Sequence, residues 1–288
     1  ARRGLGVLGA VKRGGRGADA GGALRGRVGE AAVVGGAGLR AAVGVSGRTV
    51  AEGGFGEVPL LRPLEYPGRV VTEAVLLDGD ELVPWRAGAG GAGTAGRVPV
   101  VAVGSNAAPA QVRYKLALAG VPGPVPMVPV RVAGLAVGHS GHVSVAGYVA
   151  YAPYPAPGRQ ARAVLLWLDA AQLAVVDASE RFNYRRVRLP AERFPVYDTG
   201  GAVDVGQGAY VYAGSRGLLA DADRAAPRAA GSQHAVLGEL LERSRTLREL
   251  FGGTPREWVE RVREDHRVCA RGTAVLRAEG WVLDAPEW

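Results

Sequence analysis

The chain has 288 residues, of which 48% are hydrophobic, and carries a formal net charge of +8. This length suits one large domain or two small ones. The single cysteine, Cys269, excludes an internal disulfide, and no apolar run is long enough to cross a membrane, so we expect a cytoplasmic protein without a membrane partner.

The positive charge is concentrated near the start of the chain. Residues 1–48 hold nine basic and two acidic residues, so this segment carries +7 of the net charge of +8. The other residues are close to neutral together, which argues against a folded basic surface for nucleic acid. We therefore do not expect a nucleic-acid partner.

The first 58 residues are rich in glycine, alanine and arginine, and they hold 18 of the 45 glycines. Such a segment has little to bury and loses much entropy on ordering, so residues 1–58 are predicted to be disordered. Gly4 to Gly9 match the G-x-G-x-x-G pattern of dinucleotide sites. No strand precedes them and no periodic helix follows, so we assign no nucleotide there.

Residues 59–96 are predicted to form a hairpin followed by a linker. Residues 70–77 and 81–85 have the composition of strands, and Asp78-Gly79 between them is a strong hairpin signal. Residues 86–96 are mostly glycine and alanine, which is typical of a linker.

A strand, a tight turn and a helix open the central domain, which is predicted over residues 97–220. Residues 98–103 are mostly apolar, and Gly104-Ser105-Asn106 leads directly into a helix from residue 107. Such a turn points backbone N–H groups outward beside the positive end of a helix. These three residues are therefore candidate ligands for a carboxylate or a developing oxyanion.

The rest of the central domain is predicted to combine strands with one short helix. Asp169 and Gln172 have the spacing of a capping box, and the helix that follows ends near Glu180. The predicted strands cover residues 130–137, 142–152, 161–168, 183–189 and 209–212, with a proline-rich loop over 121–129 and a turn over 153–158.

Residues 221–288 are predicted to be a helical extension. One amphipathic helix, ending at Gly252, is marked by Leu237, Leu240, Leu241, Leu247 and Leu250. A second helix is predicted to begin at Thr254, with a proline at its first position and Glu257 three residues after Thr254.

Residues 98–215 resemble the γ-glutamylcyclotransferase-like family in the order of their parts. The corresponding motifs are Gly104-Ser105-Asn106, Gly147-Tyr148-Val149, Pro157-Gly158, Leu168-Asp169, a helix ending at Glu180, Tyr184-Arg185-Arg186-Val187 and a later strand with Tyr212. One position departs from the family, whose members usually carry tyrosine before Gly-Ser-Asn. Here Val103 removes a ring and a hydroxyl from the expected pocket wall.

The resemblance implies an α+β fold around a mixed β-barrel with flanking helices. It also implies an enzyme without a cofactor, whose small-molecule γ-glutamyl amide substrate cyclises to 5-oxoproline and releases an amine. Glu180 would be the catalytic base in such an enzyme. The substrate-binding residues would be Gly104, Ser105, Asn106, Tyr184 and Tyr212.

Other interpretations stay open beside this one. A module that binds a small molecule without turnover would keep the same fold, and Val103 favours it. His139 and His142 have close spacing, but no nearby cysteine or carboxylate pair completes a zinc site, so we expect no metal. Ser140 lacks the G-x-S-x-G context of a hydrolase nucleophile. The oligomeric state and the identity of the released amine are left open.

Overall fold

A computed structural model describes residues 47–86, 93–121, 123–221 and 223–288. The glycine pattern near the start of the chain, most of the segment expected to be disordered and part of the predicted linker lie outside these ranges. Residues 47–58 of that segment are described, and they contain a short strand and the fully buried Val50.

Twelve strands are found in the described residues. They are β1 (Arg48–Thr49), β2 (Val75–Asp78), β3 (Glu81–Pro84), β4 (Val98–Ala102), β5 (Val125–His139), β6 (Tyr151–Leu168), β7 (Tyr184–Pro190), β8 (Val196–Asp198), β9 (Gly201–Ala202), β10 (Gly208–Gly214), β11 (Leu218–Leu219) and β12 (Val282–Leu283). The predicted hairpin is confirmed, because β2 and β3 pair on either side of the turn at Gly79.

Ten of these strands form one mixed sheet in the order β1-β3-β2-β5-β6-β4-β10-β7, with β8 beside β5 and β9 beside β8. Strands β4 and β10 are parallel, and the other pairs are antiparallel. The fold class is therefore α+β. The predicted closed barrel is not found, because in the described residues β1 pairs with β3 alone and β7 with β10 alone, which leaves the sheet open.

The long hairpin of β5 and β6 corrects three predictions. The predicted turn at residues 153–158 lies inside β6, where residues 156–159 bulge out of register opposite Gly134. Gly134 and Gly158 have φ values of +73° and +78°, so the irregular backbone is accommodated without ending either strand. Strand β5 also begins within the proline-rich segment, and residues 142–150 form a loop rather than a strand.

Six α-helices are described: α1 (Pro109–Leu118), α2 (Ala170–Glu180), α3 (Gln233–Arg243), α4 (Arg245–Phe251), α5 (Pro255–Glu264) and α6 (Val268–Ala278). The predicted capping boxes are both confirmed, Asp169 with Gln172 before α2 and Thr254 with Glu257 before α5. The predicted amphipathic helix is two helices, because Ser244 interrupts it and its hydroxyl caps α4.

Residues that alternate along the central strands fill two separate cores. Val101 and Leu165 belong to one core, while Val100 and Leu166 belong to the other, as expected for neighbours on opposite faces of a sheet. Helices α1 and α2 cover the second face with apolar side chains, including Leu116. This packing fixes both helices beside the end of β4.

Helices α3 to α6, called here the helical layer, enclose a third core. Phe251 and Trp258 stack in it with ring centroids 3.7 Å apart, and both are fully buried. Val143 and Val149, from the loop between β5 and β6, also belong to this core. In the described ranges no helix has the length and apolar character needed to cross a membrane.

Candidate active site

A cavity of about 350 Å³ lies where the end of β4, helix α1, the end of α2 and strands β7 and β10 meet. Its walls include all six residues proposed from the sequence, namely Glu180, Gly104, Ser105, Asn106, Tyr184 and Tyr212. The volume is in the range of small-molecule sites.

The Gly-Ser-Asn segment is a single 3-10 turn placed between β4 and α1. The N–H of Ala107 donates to the carbonyl of Gly104 and the N–H of Ala108 to that of Ser105, both at 2.9 Å. The first N–H groups of such a turn have no acceptor within it. Gly104, Ser105 and Asn106 all line the cavity, so this turn forms part of its wall.

Glu180, the last residue of α2, is held through one of its two carboxylate oxygens. Lys115 Nζ donates to Glu180 Oε1 at 2.8 Å, and Asn106 Nδ2 donates to the same oxygen at 3.0 Å. Lys115 Nζ also donates to Asn106 Oδ1 at 2.7 Å, which closes a triangle. Within the described ranges no hydrogen bond is made to Oε2. The carboxylate is therefore held through one of its oxygens, and Glu180 lines the cavity.

Lys115 is a member of this site that sequence reasoning did not identify. The side chains of Lys115 and Glu180 are only 14% and 16% exposed, so their attraction is stronger than that of a solvated pair. Arg113 on the same helix pairs with Asp80 at 3.0 Å, outside the cavity lining. The sequence shows only that basic residues follow the Gly-Ser-Asn turn in a helix, and this does not distinguish Lys115, which lines the cavity, from Arg113, which does not.

The two predicted tyrosines line the cavity, but their hydroxyl groups are bound to other protein groups. Tyr184 donates to the carbonyl of Tyr151 at 2.9 Å, and Tyr212 donates to Asp177 Oδ1 at 2.7 Å. Burial raises the pKa of both hydroxyls, and the Asp177 carboxylate raises that of Tyr212 further. Both residues therefore contribute ring surface rather than free donors.

Four further tyrosines line the cavity and were not proposed from the sequence, namely Tyr66, Tyr114, Tyr148 and Tyr151. Tyr66 stacks on Tyr148 with centroids 4.2 Å apart, and it meets the ring of Tyr151 edge-on at 5.2 Å. The Tyr66 hydroxyl accepts the N–H of Tyr151 at 2.9 Å and lies directly against Gly104, where a Cβ would clash with it. Burial, followed by the neighbouring Tyr148, raises the pKa of Tyr66. The wall is aromatic although Val103 stands before the turn.

His142 lines the cavity and is 4% exposed. Its Nδ1 lies 2.6 Å from Ser140 Oγ, and its Nε2 is buried without a hydrogen-bond partner in the described residues. Burial first, and then the positive charge of Arg216, lower the pKa of His142 to about 4. The imidazole is therefore neutral near pH 7.

The structure does not bring His139 and Ser140 together as a catalytic centre or a metal site. Both ring nitrogens of His139 bind backbone groups, the carbonyl of Val149 at 3.0 Å and the N–H of Gly231 at 3.1 Å. Ser140 is fully buried and is not among the cavity-lining residues. In the described part of the chain, no group of three histidine, cysteine, aspartate or glutamate side chains could hold a metal ion.

No protein-family model and no curated protein matches the chain significantly. Three solved structures have a TM-score of 0.31: a "Gamma-glutamyl cyclotransferase" (12% identity), the uncharacterised protein loc79017 from Homo sapiens (13%) and At5g39720.1 from Arabidopsis thaliana (14%). The first two matches each cover 41% of this chain and 66% of the matched chain. The third covers 54% of this chain and 89% of the matched chain. These scores are too low to assign the fold, so the function proposed below rests on the cavity.

Proposed function

We propose that the chain is an enzyme of the γ-glutamylcyclotransferase type. The α-amine of a γ-glutamyl amide attacks the γ-carbonyl carbon, a new C–N bond closes the ring of 5-oxoproline, and the original amide C–N bond breaks. The ammonium nitrogen of the substrate loses two protons as it becomes the ring amide, and the leaving nitrogen gains two and departs as an ammonium group, so the reaction is balanced without water or a cofactor.

The observation that carries this proposal is the one-sided anchoring of Glu180. A general base must have a free lone pair within hydrogen-bond reach of the proton that it takes. Lys115 and Asn106 fix Oε1, and Oε2 has no protein partner among the described residues. In the proposed reaction Oε2 takes a proton from the substrate ammonium group and later donates it to the leaving nitrogen.

Groups that suit the rest of the γ-glutamyl head lie on the same wall. The Lys115 ammonium, on the Asn106 side of Glu180, is the charged partner for the substrate α-carboxylate. The backbone N–H groups at Gly104 and Ser105 are the donors for the negative charge that develops on the γ-carbonyl oxygen. Because the reaction is intramolecular, holding the substrate in a folded conformer accounts for a large part of the catalysis.

The test is release of 5-oxoproline from a panel of γ-glutamyl amides, including glutathione, by the purified full chain. Glu180→Gln keeps the size of the side chain but removes the base, and we expect it to lower kcat by roughly 10²- to 10⁴-fold. Glu192→Gln makes the same chemical change at an exposed position and should leave kcat unchanged. Undiminished turnover by a folded Glu180→Gln variant would exclude Glu180 as the base.

A binding module without turnover is the second candidate, and the Lys115–Glu180 ion pair favours it. An ammonium and a carboxylate held beside each other can bind a zwitterionic ligand head through charge-assisted hydrogen bonds alone, without proton transfer. If no amide in the panel gives 5-oxoproline while calorimetry detects binding of a γ-glutamyl amide to the folded chain, this second function replaces the first.

A further inference from the structure

The mouth of the cavity is apolar. Leu118 and Val145 both line the cavity, and they are 68% and 72% exposed to solvent. Leu118 follows Lys115 by one helical turn on α1, so an apolar group lies next to the charged one along the same wall. Leu60 and Val175 add partly buried apolar surface to the lining.

Charged groups on the cavity wall are few. Among the described residues that line it, Lys115 is the sole lysine or arginine and Glu180 the sole acidic residue, and the two pair with each other. His142 carries no positive charge near pH 7, because burial lowers its pKa to about 4. Lys115 donates to Glu180 and to Asn106, so one of the three N–H groups of its ammonium is left for a single ligand carboxylate.

Arg216 is a cation near this wall, and its guanidinium group is already engaged. Its positive charge reaches His142, but Arg216 is not among the cavity-lining residues. Its Nε donates to Asn183 Oδ1 and its Nη2 to the carbonyl of Phe182, each at 3.1 Å. A second carboxylate on a ligand would therefore find no uncommitted cation among the described residues of the wall.

We infer that the amine released by this enzyme carries an apolar, uncharged substituent. On this inference, which rests on the proposed function, the cavity takes γ-glutamyl amides of alkyl or aryl amines. The γ-glutamyl head occupies the polar end at Lys115 and Glu180, and the amine substituent lies against Leu118 and Val145. Peptide amides with a second free carboxylate are poor substrates, because that charge would lie on apolar surface without a partner.

A matched pair of substrates tests the inference directly. γ-Glutamylbutylamide and γ-glutamyl-γ-aminobutyrate have the same head and amine chain length, but the second ends in a carboxylate instead of a methyl group. We expect kcat/KM for 5-oxoproline release to be higher for the butylamide by roughly tenfold or more. Equal values, or a preference for the carboxylate, would overturn the inference.

A positive charge placed at the mouth should weaken the preference for the butylamide. Leu118→Lys and Val145→Lys each add an ammonium group where the carboxylate of γ-glutamyl-γ-aminobutyrate would lie, and both positions are exposed enough to accept lysine. We expect each variant to reduce the gap between the two substrates by roughly tenfold. Val70→Lys changes an exposed apolar residue outside the cavity lining and should leave the ratio as in the unmodified chain.

Binding to the Glu180→Gln chain separates this inference from the proposed function. Calorimetry gives dissociation constants for both compounds without turnover. Tighter binding of the butylamide together with no turnover by the unmodified chain would reject the enzyme and keep the apolar subsite. Turnover of both compounds with equal binding would keep the enzyme and reject the apolar subsite.

Discussion

One ion pair of the cavity and one of the helical layer lie in opposite environments. In the helical layer, Arg245 and Glu249 pair at 2.8 Å one helical turn apart, with side chains 86% and 61% exposed. In the cavity, Lys115 and Glu180 pair at the same distance, but they come from different helices and are 14% and 16% exposed. The two ion pairs have the same N–O distance but differ in how far their side chains are exposed to water.

This difference shows where the chain accepts an energetic cost. Exposed pairs contribute little to stability because water screens them, and the helical layer depends instead on apolar packing around Trp258. A pair shielded from water costs desolvation energy, which its own attraction only partly offsets. Retaining such a pair between Lys115 and Glu180 is expected where chemistry requires the charges.

The largest expected effect on stability is in the helical layer. Trp258→Ala removes a fully buried ring that stacks on Phe251, and we expect the free energy of unfolding to fall by about 3–5 kcal/mol. Activity per folded molecule should persist, because Trp258 does not line the cavity. Urea unfolding and 5-oxoproline release measure the two quantities. A loss of activity in a variant that remains folded would show that the two regions are coupled.

The next largest effect on the free energy of unfolding is expected for the ion pair in the cavity. Lys115→Met leaves Glu180 without its partner, and we expect a loss of about 2–3 kcal/mol in the free energy of unfolding. The double variant Lys115→Met/Glu180→Gln should recover most of that loss. Arg245→Met removes an exposed cation in the helical layer and should change stability by less than about 0.5 kcal/mol. Equal losses for Lys115→Met and Arg245→Met in urea unfolding would contradict the comparison.

The smallest expected effect per residue comes from the two buried histidines, and it appears only at acidic pH. Burial lowers the pKa of His139 and His142 from 6.5 to about 4, so protons bind the unfolded chain first as the pH falls. Stability is therefore complete above pH 6.5 and is lost toward pH 4, by about 2 kcal/mol per histidine at pH 5. Urea unfolding at pH 7 and pH 5 measures this loss.

A matched substitution identifies the histidine responsible. His142→Gln should remove about half of the loss between pH 7 and pH 5 that the two histidines cause, whereas the exposed His234→Gln should remove none of it. An unchanged pH dependence in folded His142→Gln would mean that its imidazole is not the titrating group.

The sequence predicted correctly those strands and helices whose formation depends on residues close together in the chain. The apolar run before Gly104 predicted β4, and the spacing of Asp169 and Gln172 predicted the start of α2, because strand burial and helix capping depend on nearby residues. The bulge opposite Gly134 was missed, because a Pro-Gly pair is typical of a turn unless a partner strand continues the register.

The candidate site was predictable only in part, because several of its residues are brought together by packing between distant parts of the chain. Glu180 and the Gly-Ser-Asn turn were proposed from a family resemblance, and the structure places both at one cavity. Lys115 lies 65 residues before Glu180, and Tyr66 comes from the segment before β2. Their roles depend on how α1, α2 and the start of β6 at Tyr151 pack together, which no short pattern encodes.

The most direct measurement of the central claim identifies the product formed in water enriched in the heavy oxygen isotope. γ-Glutamylbutylamide is incubated with the full chain, and mass spectrometry analyses the released acid. Cyclisation by the substrate's own amine predicts 5-oxoproline without the heavy isotope. Glutamate carrying the heavy isotope would show that water attacks the carbonyl, and it would contradict the proposed reaction.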